Sequence, residues 1–153
     1  MGHVHITVAA IIEYNQKFIL VTDKTTEGLK LNQPAGHVEA NESILAAVIR
    51  EVKEETSLDI IPEKLIGVYY FQTNPENTYL RFCFSGKISD YMQTPQPDAN
   101  DDDVIEANWY SESEIRSRLC EHRSPIVMQC LDDYLAGKKF PLEVLVHYTK
   151  PTA

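Results

Sequence analysis

Cysteine, tryptophan and long apolar runs are scarce in this chain. Its 153 residues include three cysteines and one tryptophan. Cys83, Cys120 and Cys130 are odd in number and lack CxxC spacing, which disfavours both a disulfide framework and a zinc site. No apolar run reaches about 18 residues, and no basic segment leads a long apolar one at the N-terminus, so neither a membrane span nor a signal peptide is predicted. These absences favour a cytoplasmic protein with reduced thiols.

Positive charge is also scarce. Lysine and arginine together number 14 against 23 aspartates and glutamates, giving a formal net charge of −9. An acidic chain is a poor partner for nucleic acid or an anionic membrane, although it can bind a small phosphorylated ligand through a metal ion. The length predicts a single domain over residues 1–153 and leaves a monomer and a small homo-oligomer both open.

Hairpins and helices alternate in the predicted secondary structure. β-branched residues favour strands at 3–12, 17–22, 65–73, 78–87 and 104–110, whereas 24–33 and 90–103 are predicted to be loops. Ser111 with Glu114, and Ser124 with Pro125, are typical starts of two helices, the last ending near Gly137. The alternation predicts an α/β (mixed α+β) fold in which helices cover a mixed sheet.

One helix carries the strongest signal. It begins after Ser43 or Asn41, and its predicted core stripe consists of Leu45, Val48, Ile49 and Val52. Glu51, Glu54 and Glu55 lie on an adjacent face, because spacings of three and four residues repeat at helical period. Like charges at this spacing weaken an isolated helix. The cluster therefore indicates a bound cation of the kind that prefers hard oxygen ligands, Mg²⁺ or Mn²⁺, while an ordinary solvated acidic face is the alternative.

The segment from Gly36 to Leu58 resembles the Nudix box. Gly36, Glu42, Arg50-Glu51-Val52, Glu54-Glu55 and Leu58 match it in register, and Ser57 stands where that family has glycine. A positive φ is common at a helix C-terminus, so we expect Ser57 to cost some stability without touching the chemistry. Segments outside the box, HITVAAII, LNQPAGHVEANES, LRF, RSPIV and GKKFPLEVL, are similar to the Nudix phosphatase J subgroup.

The resemblance implies a Nudix α/β/α sandwich and an enzyme. It implies Mg²⁺-dependent hydrolysis of nucleoside tri- and diphosphates and of hydroxymethylpyrimidine diphosphate, a thiamin precursor, with release of orthophosphate. Two alternatives remain open. One is a housecleaning pyrophosphatase that releases a monophosphate, and the other is a Nudix domain that senses a nucleotide without cleaving it.

Site residues follow from the same resemblance. Glu51, Glu54 and Glu55 are the predicted metal ligands, joined by the carbonyl of Gly36 or Ala35. Arg50 and Glu42 are predicted to orient the glutamates. A loop carboxylate completes the metal site, with Asp103 preferred, Asp102 second, and Asp98 and Asp101 weaker candidates. Glu51 or such a loop carboxylate takes the proton of the attacking water.

Substrate contacts are predicted from position. Arg123 precedes the cap of the last helix, where a phosphate site or a structural salt bridge would both fit. Arg81 alternates with apolar residues in a strand, so it either enters the cleft or extends away from the sheet. Gln33, with Lys24 and Lys30, lies on the approach to the box. Four strand aromatics, Tyr69, Tyr70, Phe71 and Tyr79, either stack on a base or belong to the core.

Overall fold

The computed structural model describes residues 2–100 and 103–151. Seven strands are found there: β1 (His3–Tyr14), β2 (Lys17–Thr25), β3 (Gly28–Asn32), β4 (Ala35–His37), β5 (Ile60–Asn74), β6 (Asn77–Ile88) and β7 (Val104–Ser111). Three helices accompany them: α1 (Ile44–Thr56), α2 (Glu112–Ser117) and α3 (Pro125–Leu135). Within the described ranges, no helix has the length and apolarity to cross a bilayer.

Strand β1 organises the sheet. It pairs parallel with β6 and antiparallel with β4 and with the start of β2. Strand β5 pairs with the other edge of β6, and β2 pairs with both β3 and β7. Six consecutive residues of β1, from Thr7 to Ile12, are buried, a pattern typical of a strand covered on two sides. The mixed sheet predicted from the sequence is confirmed.

Helices cover both faces of this strand. Alternate residues of β1, such as Val8 and Ala10, pack in one core with Val48 and Val52 of α1. The intervening residues, such as Ala9, pack in a second core that contains Cys130, Leu131 and other residues of α3. Because side chains alternate across a strand, one strand serves two cores, and the α/β/α sandwich is confirmed.

Two predictions for the region before α1 are wrong. The predicted loop at 24–33 contains the end of β2 and all of β3, which form a hairpin with its turn at Thr26-Glu27; Gly28, the first residue of β3, has a φ of 100°. The break predicted at Pro34-Ala35-Gly36 overlaps the first two residues of β4, a strand that pairs with Thr7, Val8 and Ala9. Polar composition predicted a loop there, and the cross-strand pairing that creates these strands is a tertiary effect.

The ends of α1 agree with prediction, and its apolar face agrees in part. Ser43, rather than Asn41, is the cap, since its side chain accepts a hydrogen bond from the Ala46 N–H at 3.0 Å. Ser57 adopts the left-handed conformation with a φ of 64°. Ile49 is 42% exposed, so its assignment to the core stripe is wrong. Ala47 and Thr56 are buried in α1 together with Val48 and Val52.

Candidate active site

A cavity of about 1070 Å³ opens on the sheet face that α3 covers in part. Two groups of charged residues line it. We call Gly36, Glu51, Glu54 and Glu55 the carboxylate wall, and Arg81 with Arg123 the arginine wall. Their separation follows from strand order: Thr7 of β1 pairs with His37 of β4 on one side and with Arg81 of β6 on the other. With neighbouring strands about 4.8 Å apart, the backbones of β4 and β6 lie about 10 Å from each other.

The carboxylate wall is formed where α1 meets the short strand β4. Glu55 is 7% exposed, and its Oε1 accepts a hydrogen bond from the Ala35 N–H at 2.8 Å. Glu51 lies against Gly36 so closely that a Cβ at that glycine would overlap its carboxylate group. The absence of a side chain at Gly36 is therefore what admits Glu51 to the wall, a backbone approach of the kind that only glycine permits.

Arg50 ties the glutamates together. Its Nε and Nη2 donate to the two Glu42 carboxylate oxygens at 2.9 and 2.7 Å, a bidentate pair. Its Nη1 donates to Glu51 at 2.8 Å and to Glu54 at 3.2 Å, and Nη2 also reaches the carbonyl of His37 at 2.9 Å. The hydrogen bonds from Arg50 hold the pKa of Glu42 below its ordinary value, and those to Glu42 raise the pKa of Arg50. The predicted contact between Arg50 and Glu42 is present, and its part in catalysis stays a prediction.

The donor set of this wall fits a divalent cation. Carboxylates are the hard ligands that Mg²⁺ accepts, and Glu51, Glu54 and the Gly36 backbone face one cavity with the buried Glu55. Among residues 2–100 and 103–151, no three His, Cys, Asp or Glu side chains already converge as a metal-binding group. Since the Arg50 guanidinium neutralises Glu51 and Glu54, a cation entering this wall would exchange with part of that contact.

The acidic loop after β6 is attached to the end of α1. The N–H of Asp98 donates to the Glu54 carbonyl at 2.8 Å, and the N–H of Gln96 donates to the Thr56 carbonyl at 2.9 Å. Asp98 and Asp103 both line the cavity, whereas Asp101 and Asp102 lie outside the described residues. The structure thus brings the preferred loop candidate, Asp103, to the same cavity as the carboxylate wall.

The arginine wall is held from behind by buried polar side chains. Arg123 Nη1 lies 2.6 Å from Asp23 Oδ2, and Asp23 is only 4% exposed. Burial raises the pKa of Asp23, and the attraction of Arg123 offsets this only in part. Arg81 donates through Nη2 to Asn32 and through Nη1 to Gln33, both at 3.0 Å. The salt bridge considered for Arg123 is present, and because Arg123 also lines the cavity, its role as a phosphate site stays a prediction.

Gln33 is buried behind the cavity, whereas direct contact with a substrate requires a side chain that lines the cavity. It is 3% exposed, its Nε2 donates to the Val127 carbonyl at 2.8 Å, and it lies behind Arg81 rather than among the residues lining the cavity. Its contribution to binding would be to orient Arg81. Sequence reasoning missed Asp23 and Asn32 in the same layer. In the sequence, Asp23 is a single polar residue at the end of an apolar strand, and this pattern does not identify Arg123 as its partner.

Three of the four candidate aromatics line the cavity. These are Tyr69, Phe71 and Tyr79, while Tyr70 is 71% exposed and alternates onto the other sheet face. The Tyr69 hydroxyl donates to Asp133 at 2.7 Å, so that ring is fixed against α3. Lys30 also lines the cavity and donates to the Cys120 carbonyl at 3.2 Å, whereas Lys24 is exposed outside it.

Comparison with known proteins agrees with this fold. Residues 3–130 match the NUDIX domain family. Phosphatase NudJ of Escherichia coli (strain K12) is 34% identical over 148 residues, covering 96% of this chain and 94% of that protein. The structure of a NUDIX hydrolase from Nitrosomonas europaea has a TM-score of 0.86 at 43% identity and covers 95% of this chain and 98% of its own. The MutT protein from Methanosarcina mazei Go1, with a TM-score of 0.69 at 23% identity, shares the fold.

The chain belongs to the Nudix hydrolase family. It is accordingly an enzyme that acts on acid anhydrides in phosphorus-containing substrates, and its sequence is similar to phosphatases named NudJ over nearly its whole length.

Proposed function

We propose that this protein is a single-domain, Mg²⁺-dependent hydrolase of nucleoside tri- and diphosphates and of hydroxymethylpyrimidine diphosphate, and that it releases orthophosphate. The observation that carries the proposal is the pairing of the carboxylate wall with the arginine wall across one cavity. The similarity of the sequence to Phosphatase NudJ of Escherichia coli supports a phosphatase activity. The free thiols and the net charge of −9 suit a cytoplasmic enzyme with small-molecule substrates rather than nucleic acid.

The two walls have different roles toward a phosphate chain: one holds the metal ion and the other binds phosphate oxygens. When bound, Mg²⁺ neutralises phosphate oxygens and polarises the anhydride. Glu51, Glu54 and Glu55 would hold it, and Mn²⁺ is the next best fit for carboxylate ligands. Arg81 and Arg123 bind phosphate oxygens from the other side, and their guanidinium groups suit paired oxygens. A substrate that touches both walls is held at two points with its scissile bond between them.

The attacking water needs a base within hydrogen-bond reach. Glu51 is one candidate, because Arg50 and the space above Gly36 fix its carboxylate at the cavity. Asp103 is the other, on the loop that also carries Asp98. Glu51→Gln and Asp103→Asn separate them: loss of the acidic limb of the kcat–pH profile, where activity rises with pH, identifies the base, whereas loss of a metal ligand chiefly raises the Mg²⁺ concentration needed.

The proposal is tested by a substrate screen with and without Mg²⁺. The panel contains nucleoside di- and triphosphates and hydroxymethylpyrimidine diphosphate, and orthophosphate and pyrophosphate are quantified separately. We expect orthophosphate, Mg²⁺ dependence, and a clear fall in rate at sub-saturating Mg²⁺ in Glu55→Gln, because the variant loses a predicted metal ligand. Glu63→Gln is the matched control, since Glu63 pairs with Lys87 and does not line the cavity.

Three results would count against the proposal in different ways. Pyrophosphate with a monophosphate would indicate the housecleaning pyrophosphatase. A nucleotide that raises the melting temperature but is never cleaved would indicate a sensor. Full activity in folded Glu55→Gln would show that the carboxylate wall is not the reaction centre.

A further inference from the structure

Helix α3 holds the sheet layer behind the cavity at successive positions of its buried face. Val127, Cys130 and Asp133 are three residues apart, so each is the neighbour of the next on the helix surface. The Val127 carbonyl accepts a hydrogen bond from Gln33 Nε2 at 2.8 Å. Asp133 Oδ2 accepts one from the Tyr69 hydroxyl at 2.7 Å. The outer two positions thus each hold a side chain of this layer, and Cys130 lies between them.

Cys130 meets Arg81 and Cys83 at the middle of this face. Arg81 and Cys83 are two residues apart on β6, so their side chains lie on the same side of the sheet. Cys83 and Cys130 are both fully buried and belong to one core. The Cys130 side chain makes hydrogen bonds with three neighbours, which are Cys83, Arg81 and Tyr69. A buried sulfur atom therefore contacts the guanidinium group that lines the cavity.

Gly67 allows the Tyr69 hydroxyl to reach the same point. A Cβ at Gly67 would lie 2.8 Å from the Tyr69 hydroxyl oxygen, so any other residue at this position would displace that group. Gly67 is also the cross-strand partner of Cys83. The hydroxyl group therefore lies over the pair formed by Gly67 and Cys83, on the side of the sheet that α3 covers. This placement brings Tyr69 and Cys83 to Cys130 from two different strands.

The hydrogen-bond donors and acceptors around Cys130 follow from the chemistry of each group. A carboxylate only accepts, so the Tyr69 hydroxyl donates to Asp133 and its oxygen is left as an acceptor for the Cys130 thiol. The Cys130 sulfur then accepts from the Cys83 thiol and from the Arg81 guanidinium group, which only donates. Burial would raise the pKa of Cys130, but the Cys83 hydrogen bond and the Arg81 charge lower it below its ordinary value.

We propose that Cys130 is a positioning residue for Arg81, and that its sulfur, ordered by the Cys83 thiol behind it, fixes the guanidinium group that receives the phosphate chain. This inference rests on the proposed function for the role of Arg81. Asn32 and Gln33 hold Arg81 from the end of β3, and Cys130 adds a contact from α3. A guanidinium group held from two elements loses less conformational entropy when phosphate binds.

Calorimetric binding of inorganic pyrophosphate without metal tests this role, because it reports on the arginine wall and requires no hydrolysis. We expect Cys130→Ala and Cys130→Val to weaken binding by about 2- to 10-fold, the effect of ordering one flexible side chain. Cys130→Ser restores a polar acceptor and should recover most of this affinity. In the hydrolysis assay, the same loss should appear in KM rather than in kcat. Leu131→Val is the matched control, because it alters packing in the same helix and core without a polar group.

A double variant separates positioning from packing. If Cys130 acts through Arg81, Cys130→Ala should cause no further loss of pyrophosphate affinity in an Arg81→Met background. The valine variant keeps the buried volume filled, so it decides the matter if the alanine variant does not fold.

Several results would overturn the positioning role. They are additive losses in the double variant, an equal loss in Leu131→Val or Cys130→Ser, unchanged affinity in Cys130→Val, and no pyrophosphate binding by the wild type. Failure of the proposed function is distinguishable from these. Pyrophosphate binding that depends on Cys130, in a protein that cleaves none of the proposed substrates, sustains the positioning role and rejects those substrates.

Discussion

The carboxylate wall and the arginine wall carry opposite charges and are held in place in different ways. Arg50, whose side chain is 23% exposed, holds the glutamates by charge–charge contacts that a cation can replace. Asp23, Asn32 and Gln33, all less than 9% exposed, hold the arginines by contacts that no solvent-borne ligand reaches easily. The contacts of the carboxylate wall can therefore be exchanged for a cation, whereas the arginine wall is ordered without a ligand.

The proposed function explains this difference by what each wall would bind. A metal site must accept and release an ion together with its substrate, so a temporary counter-charge lowers the repulsion among the glutamates while the ion is away. A phosphate site gains when its guanidinium groups are ordered in advance, because the entropy of fixing long side chains is then not lost on binding. The comparison predicts that disturbances of the two walls have different signatures.

Gly36→Ala should have the largest effect, and it breaks the carboxylate wall alone. A Cβ at this position overlaps the Glu51 carboxylate, so the side chain must move away. A misplacement of about 1 Å can cost about 100-fold in rate, and we expect a fall in kcat of that order. The measurement is steady-state kinetics with saturating Mg²⁺, alongside binding of pyrophosphate without metal. Weaker metal-free binding comparable to the loss in kcat would show that the two walls are not separable.

Arg50→Met tests whether Arg50 is a replaceable counter-charge. The change leaves Glu42, Glu51 and Glu54 to repel one another, and we expect the free energy of unfolding to fall by about 2 kcal/mol, between the values for surface and buried pairs. Mg²⁺ should recover part of this loss in the variant and add less to the wild type. Arg116→Met is the matched control, because Arg116 also pairs with two carboxylates but is 43% exposed. It should change stability little, with no response to Mg²⁺.

The difference in stability between the wild type and Arg50→Met should depend on pH in a defined direction. The pKa of Glu42 is lowered in the folded state by Arg50, so its stabilising contribution is present above the unfolded value of about 4.3 and is lost as the pH falls through the folded value. The stability advantage of the wild type over Arg50→Met should therefore shrink below about pH 4. An advantage that persists there in chemical denaturation would mean that packing, rather than charge, is what Arg50 contributes.

Asp23→Asn tests the fixed wall, with a smaller effect. Burial raises the pKa of Asp23. The stability that protonated Asp23 contributes at low pH is therefore lost as the pH rises through the folded pKa, and the ionised form is unfavourable in the fold. A neutral amide of the same shape removes this cost, and Arg123 is half exposed, so no buried charge remains alone. We expect unchanged or higher melting temperature at pH 7 and a KM raised by about 2- to 10-fold, the effect of ordering one flexible side chain. Asp132→Asn, at an exposed pair with Arg116, should leave KM unaltered.

The carboxylate wall was accessible from the sequence because it is local. Glu42, Arg50, Glu51 and Glu55 lie on or next to one helix whose period is readable, and Gly36 lies at a fixed spacing before them. The fold class and the caps at Ser43, Ser111 and Ser124 were predictable for the same reason. What Gly36 does for Glu51, however, became visible only when β4 was found to run beside α1.

The arginine wall was only partly accessible because it is assembled from distant segments. Arg81 and Arg123 were identified as candidates, but their orientation depends on Asp23, Asn32 and Gln33, which lie about 50 to 100 positions away along the chain. The strands that carry Asn32 and Ala35 were predicted as loop and turn, so this layer had no predicted place in the sheet. Pairing across a sheet is not encoded in local composition.

Ser57 offers the smallest and most specific test, of the loop that borders the carboxylate wall. Its left-handed conformation costs about 1 kcal/mol, which Ser57→Gly would relieve. Its hydroxyl also donates to the Gln96 carbonyl at 2.6 Å, a neutral hydrogen bond that contributes about 1 kcal/mol. We therefore expect Ser57→Gly to leave the free energy of unfolding nearly unchanged and Ser57→Ala, which keeps the strain, to lower it by about 1 kcal/mol.

The same variants report on the loop carboxylates, since the loop that Ser57 fastens carries Asp98 toward the cavity. If a loop carboxylate serves the metal site, both variants should raise the half-saturating Mg²⁺ concentration in the hydrolysis assay, and kcat at saturating Mg²⁺ should recover. A gain of stability in Ser57→Gly equal to the full relief of strain would show that the hydroxyl contact contributes nothing. An unchanged Mg²⁺ requirement would confine the metal site to α1 and β4.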